Sequence, residues 1–241
     1  MSNISSSAQL KAQAKEKALD RYGTLIAANV LIFVIQFILS GITTVSASGN
    51  VFILVINQLI AIVVDILLGI LVSGKAYLYM NLVYSQTTSA TDIFYGLKLH
   101  PEKAVLIQSL FVAVNLICTV PISLLLFFMD RNSSTALTIT LIAILVVGVI
   151  IRIYISLTYS QAFFLLHDFP ERSVKELFAT SRRLMKGNRL SLLYIYISYI
   201  PLYLFGIITL FIPLLWISVY RYTTVTVFYQ DLISKAGNRN N

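Results

Sequence analysis

Two sets of residues in this 241-residue chain have types and spacing that could do chemistry. The first is Gln36, Asp65, Asn115 and Arg152, each near the middle of a long apolar run. An acid or a guanidinium at the centre of a membrane helix costs about 2.5–3.5 kcal/mol on insertion scales, so such groups turn inward, pair, and often mark proton or solute pathways. Asp65 and Arg152 are therefore expected to pair, in a midplane layer that Gln36 and Asn115 complete. Arg221 and Thr224 add polarity to the last run, nearer its cytoplasmic end.

The second set surrounds the two histidines: His100 with Glu102, and His167 with Asp168 and Glu171. Imidazole and carboxylate can ligate zinc, but this spacing matches no standard zinc pattern. Asp168 and Pro170 read better as the end of one helix, with Glu171 and Ser173 opening the next. No HExxH, GxSxG or Gly-rich phosphate loop occurs, and Lys186-Gly187 reads as a helix end. Catalytic residues, a metal and cofactors are accordingly not expected, and the chain reads as a non-enzyme.

The elements that must carry these residues follow from composition. Apolar residues make up 58% of the chain and charged residues 12%, against roughly 25% charged in a soluble domain. Six runs, at about 24–45, 51–77, 104–128, 135–165, 190–206 and 207–229, reach the roughly 20 residues that cross a bilayer. In lipid every backbone amide must be bonded internally, so such runs are helices. The expected fold is all-α: a polytopic membrane bundle of six transmembrane helices with short amphipathic cytoplasmic helices. Its organisation is a basic segment over 1–23, one membrane domain over 24–230 and a polar tail over 231–241. Pro121, Pro201 and Pro213 all fall toward outer span ends, so the broken spans of many transporters are not expected.

Charge sets the orientation. Lys11, Lys15, Lys17, Arg21, Lys98, Lys103, Arg172, Lys175, Arg182, Arg183, Lys186, Arg189, Lys235 and Arg239 fall on alternate connections, while "SASGN" is uncharged and "MDRNSS" has one Arg. The positive-inside rule then puts both termini in the cytoplasm. The net charge of +8 is assigned to anionic headgroups, worth about 1 kcal/mol per basic residue near the surface, and nucleic acid is not expected as a partner. The membrane-surface set is Arg172, Lys175, Arg182, Arg183, Lys186 and Arg189. The tyrosines, among them Tyr22, Tyr77, Tyr79, Tyr84, Tyr159 and Tyr229, cluster toward span ends and suit the headgroup belt. Cys118 is the only cysteine, which leaves no intrachain disulfide.

"SATDIFYGLKLHPEKA" and "SVKELFATSRRLMKGN" each open with a capping box, Ser89-x-x-Asp92 and Ser173-x-x-Glu176. The N-terminal "SAQLKAQAKEKALDRY" is a weaker third version, with Ala supplying most of its apolar face. The chain thus reads as three parallel units, about 7–80, 89–165 and 173–231, each an amphipathic helix followed by a two-span hairpin. In the third helix Val174, Leu177, Phe178, Ser181, Leu184 and Met185 form an apolar stripe opposite the basic residues, a pattern that fits the headgroup boundary.

The C-terminal third, "SRRLMKGNRLSLLYIYISYI" and "FGIITLFIPLLWISVYRYTTVTVFYQDL", resembles the domain-of-unknown-function 975 family of bacterial integral membrane proteins. The likeness rests on Ser181–Asn188, Leu215-Trp216 and the Tyr220…Thr224…Phe228-Tyr229-x-Asp231-Leu232 ending. "DIFYGLK" and Asp168-x-Pro170 are similar too. The chain departs at Ser198-Tyr-Ile-Pro-Leu, where the family commonly has "SFIGW", and at Val219, where it commonly has Pro. The resemblance implies a six-span protein of the bacterial plasma membrane with no assigned reaction or cofactor. The expected function is a non-enzymatic envelope, lipid-interacting or partner-complex component. The alternative is a small permease or transporter accessory subunit that uses the Asp65/Arg152 layer.

Overall fold

Continuous apolar runs leave the backbone no solvent partner in lipid and so must bond within themselves. In the computed structural model, which describes residues 5–43, 51–129 and 135–237, all regular structure is helical. Helix α1 (Ser7–Ala18) passes through a 3-10 turn into α2 (Tyr22–Thr43). Helices α3 (Val51–Leu67) and α4 (Gly69–Val83) meet at Leu68, and a 3-10 stretch, Ala90–Leu97, leads to α5 (Pro101–Met129). The chain continues as α6 (Thr135–Tyr159), α7 (Ala162–Asp168), α8 (Val174–Met185), α9 (Arg189–Ile197), α10 (Ile200–Ile208) and α11 (Pro213–Gly237). The uncharged connection at 46–50 and Arg131 lie outside the described residues.

Among the described residues, five helical stretches are long and apolar enough to cross a membrane: Ser7–Gly41, Val55–Val83, Pro101–Leu126, Thr135–Asp168 and Arg189–Ile208. The sixth expected run is α11, which is less apolar because it carries Tyr220, Arg221, Tyr222, Thr223 and Thr224. Its surroundings explain the difference. Every residue from Thr223 to Tyr229 is buried, and α11 packs against α1, α2, α4 and α10. A helix enclosed by protein needs no continuous apolar face. It also runs through the expected polar tail as far as Gly237, with Leu232 buried.

Two spans break beside a serine, and at the second of these breaks Pro201 opens α10. At the α6–α7 junction the Ser160 hydroxyl donates to the Leu157 carbonyl at 2.9 Å, and at α9–α10 Ser198 donates to Ile195 at 2.6 Å. Serine back-bonding of this kind competes with the helical ladder and bends it. At α6–α7 a search for Gly and Pro does not register it, whereas at α9–α10 Pro201, which lacks an amide proton, also interrupts the ladder. The apolar stretches keep wide exposed faces, at Phe33, Phe37, Ile117, Ile150 and Ile208 for example, as an environment of lipid allows.

Three short helices open on capping boxes: Ser6 with Gln9, Ser89 with Asp92, and Ser173 with Glu176. The first begins one residue before the N-terminal stretch singled out in the sequence. Its buried stripe is Leu10, Ala14 and Ala18, as the alanine content suggests. Around these helices the chain ties one end of the bundle together. Ser5 donates from its backbone amide and its hydroxyl to Asp231, both at 3.0 Å, and Lys17 donates to the Val83 carbonyl at 2.6 Å. Lys103 donates to the carbonyls of Pro170 and Arg172. Burial pushes the Asp231 carboxyl up, but the Lys235 ammonium at 2.7 Å and the Ser5 donors outweigh it and hold the group below its usual value.

The 3-10 stretch Ala90–Leu97 lies directly on α4. Gly74 faces the Ile93 carbonyl and Gly96 faces the Ile70 carbonyl, each so close that a Cβ would collide with backbone. Two glycines, one on each element, permit that approach.

Candidate functional site

The midplane residues do not assemble as one layer. Arg152 on α6 donates from Nη2 to the Thr119 hydroxyl at 2.5 Å and to the Asn115 carbonyl at 3.3 Å. Thr119 in turn donates to the Asn115 carbonyl at 2.7 Å. Arg152 and Asn115 are thus brought together, with Thr119 between them. Asp65 on α3 and Gln36 on α2 are exposed, and no hydrogen bond or ion pair joins Asp65 to Arg152 among the described residues. Helix α5 is the neighbour against which both α3 and α6 pack, so its threonine and backbone meet the guanidinium first. Asp65→Asn and Arg152→Gln are expected to add within about 0.5 kcal/mol in detergent unfolding, as uncoupled sites do. Arg152→Gln and Thr119→Val should instead couple by at least that much, and a clear Asp65–Arg152 coupling would contradict this geometry.

A denser polar cluster sits where α4, α7 and α11 meet. The Tyr229 hydroxyl donates to Asp168 Oδ2 at 2.5 Å, and Tyr84 donates to the same oxygen at 3.4 Å. Asp168 ends α7 as expected and also joins three helices. His167 Nε2 lies 2.8 Å from the Ser73 carbonyl and 3.2 Å from the Ser73 hydroxyl. The carbonyl can only accept, so Nε2 carries the proton and cannot act as a base toward Ser73. The opposite nitrogen, Nδ1, is buried without a hydrogen-bond partner in the protein. His100 lies elsewhere, 3.1 Å from Glu102.

Several tyrosines assigned by sequence to the headgroup belt are core residues. Tyr79 and Tyr229 are wholly buried, as is Tyr199. Each finds a hydroxyl partner: Asn29 at 2.9 Å for Tyr79, Asp168 for Tyr229 and Thr224 at 2.7 Å for Tyr199. A buried phenol requires such a partner. The signal available in the sequence was a polar residue on a neighbouring run, Asn29 being one.

Two cations share this tyrosine-rich region. Lys75 Nζ lies 4.6 Å from the ring centre of Tyr222 and 5.8 Å from that of Tyr79. The Arg221 guanidinium lies 5.7 Å from the Tyr196 ring and 5.8 Å from the Tyr203 ring. Arg221 was noted in the sequence as intramembrane polarity, whereas Lys75, one cation near the end of the second run, was missed. Its spacing of four from Tyr79 was the available signal.

Of the surface set, Lys175, Arg182, Arg183 and Lys186 are exposed. Arg172 stacks on Phe169 and donates to Thr180 at 3.2 Å, and Arg189 stacks on Tyr154 and donates to its hydroxyl at 3.2 Å. The apolar stripe of α8 turns to protein: Leu177, Ser181 and Met185 are buried, and Val174, Phe178 and Leu184 pack on the same core. Gly187 follows the helix with φ of 84°, the left-handed conformation of a helix end. Hydrogen bonds from the Ser173 amide and hydroxyl hold the Glu176 carboxyl below its usual value.

Helices of this length and apolarity fit a membrane protein. Within that class, the chain belongs to the family described as protein of unknown function (DUF975), whose model matches residues 1–236. No curated protein and no solved structure matches it.

Proposed function

We propose that the protein is a six-span component of the bacterial cell membrane that works by binding anionic lipid at its cytoplasmic face, with both chain ends on that face and no reaction of its own. The bacterial setting comes from the family resemblance. The observation that carries the reading is the gathering of the boxed helices and basic connections at one end of the bundle. Lys17 bonds to the end of α4, Lys103 to the segment after α7, and Ser5 to Asp231 near the end of α11. An even number of crossings brings the two ends of a chain to one side, which supports α11 as the sixth span beside the five more apolar ones. The three boxed helices are then three copies of one unit.

Helix α8 fits a lipid contact made by charge, because its apolar stripe is already used by the core and Lys175, Arg182, Arg183 and Lys186 remain exposed. Each such residue near an anionic surface contributes about 1 kcal/mol. Neutralising Arg182, Arg183 and Lys186 together to Gln should lower enrichment of phosphatidylglycerol over phosphatidylcholine, in nanodiscs holding the purified protein, by on the order of a hundred-fold. Equal enrichment in the triple variant and the parent protein would count against this reading.

A further inference from the structure

Lys75 on α4 and Arg221 on α11 are two cations without a carboxylate. The ion pairs among the described residues are His100–Glu102 and Lys235–Asp231, both away from this region. Tyrosine rings face both cations, but a cation–π contact contributes only about 0.5–2 kcal/mol. Taking one ion out of water costs several kcal/mol. The Arg221 Nε is in addition buried with no hydrogen-bond partner.

Beside them lies a cavity of about 180 Å³, several times the space one water takes in the liquid. Arg221, Tyr222, Tyr196 and Ser160 bring polar groups to its wall, and Val72 and Phe164 supply apolar surface. Tyr222, whose ring carries Lys75, is part of that wall. Ser160 sits there because the α6–α7 break places it there.

We propose that this cavity is an intramembrane site for a phosphate oxyanion, held by Arg221 and supported by the charge of Lys75. A guanidinium offers two parallel donors to phosphate oxygens, and an ammonium acts as a point charge. Tyrosine hydroxyls can donate to the remaining oxygens. The oxyanion comes either from free phosphate or from a phospholipid headgroup whose chains lie along the apolar wall. The site is separate from the exposed residues of α8 and does not depend on their role.

The test uses purified full-length protein in maltoside micelles, with two probes. One is radiolabelled inorganic phosphate at equilibrium; the other is native mass spectrometry with phosphatidylglycerol against phosphatidylcholine. The parent protein should bind one equivalent of at least one phosphate probe, and the probe that binds identifies the source. Arg221→Gln and Lys75→Gln should each weaken that binding by about ten-fold or more, while Arg152→Gln, an intramembrane cation bonded instead to Thr119 and Asn115, should leave it unchanged. Failure of the parent protein to bind either phosphate or phosphatidylglycerol would overturn the proposal whatever the variants' stability, as would undiminished binding by both variants.

Discussion

Gly74→Ala is expected to lower the unfolding free energy by about 3 kcal/mol or more, the upper end of what overpacking costs. A Cβ at Gly74 would meet the Ile93 carbonyl, which belongs to backbone and cannot rotate away. Gly96→Ala should act similarly, because it meets the Ile70 carbonyl across the same contact. The control is Gly23→Ala, where the added methyl meets open space, and where alanine should stabilise α2 by up to about 1 kcal/mol through helix propensity. Denaturant unfolding in a fixed detergent would compare the three. A Gly74→Ala protein as stable as the parent would show that α4 and the Ala90–Leu97 stretch are not in contact as described.

The second large effect belongs to Tyr229. Tyr229→Phe removes the stronger donor to Asp168 and leaves the carboxylate with Tyr84 at 3.4 Å. A hydrogen bond to a charged group contributes about 1.5–3 kcal/mol, so a loss of that size is expected. If the loss arises at Asp168, Asp168→Asn should cost less in the Tyr229→Phe protein than alone, with a coupling above about 0.5 kcal/mol. Additive losses would mean that the phenol stabilises α11 through packing only.

The helices were legible in the sequence because lipid permits few alternatives to them, and the capping boxes at Ser89 and Ser173 were legible because their signal is local. Partner choice was not. Asp65 and Arg152 were matched by depth and charge, but depth along a helix does not say which face meets which neighbour, and Thr119 reached the guanidinium first. Tyr79, Tyr199 and Tyr229 share that lesson. An amphipathic ring suits both a headgroup belt and a core with a hydroxyl partner, and only the packing of α4 and α11 decides between them. Lys75 was obscure for a related reason: a lysine near a span end reads as a headgroup anchor until Tyr222 is placed over it.

The proposed six crossings draw on the joining of Ser5 to Asp231 and the burial of α11. The most direct test is the sidedness of the two chain ends. Single cysteines would be introduced at the exposed positions Ala8 and Gly237, in a Cys118→Ala background, and labelled with a membrane-impermeant maleimide. Both should be labelled in inverted membrane vesicles and neither in intact cells. Labelling of the two positions from opposite faces would mean an odd number of crossings and would contradict the account.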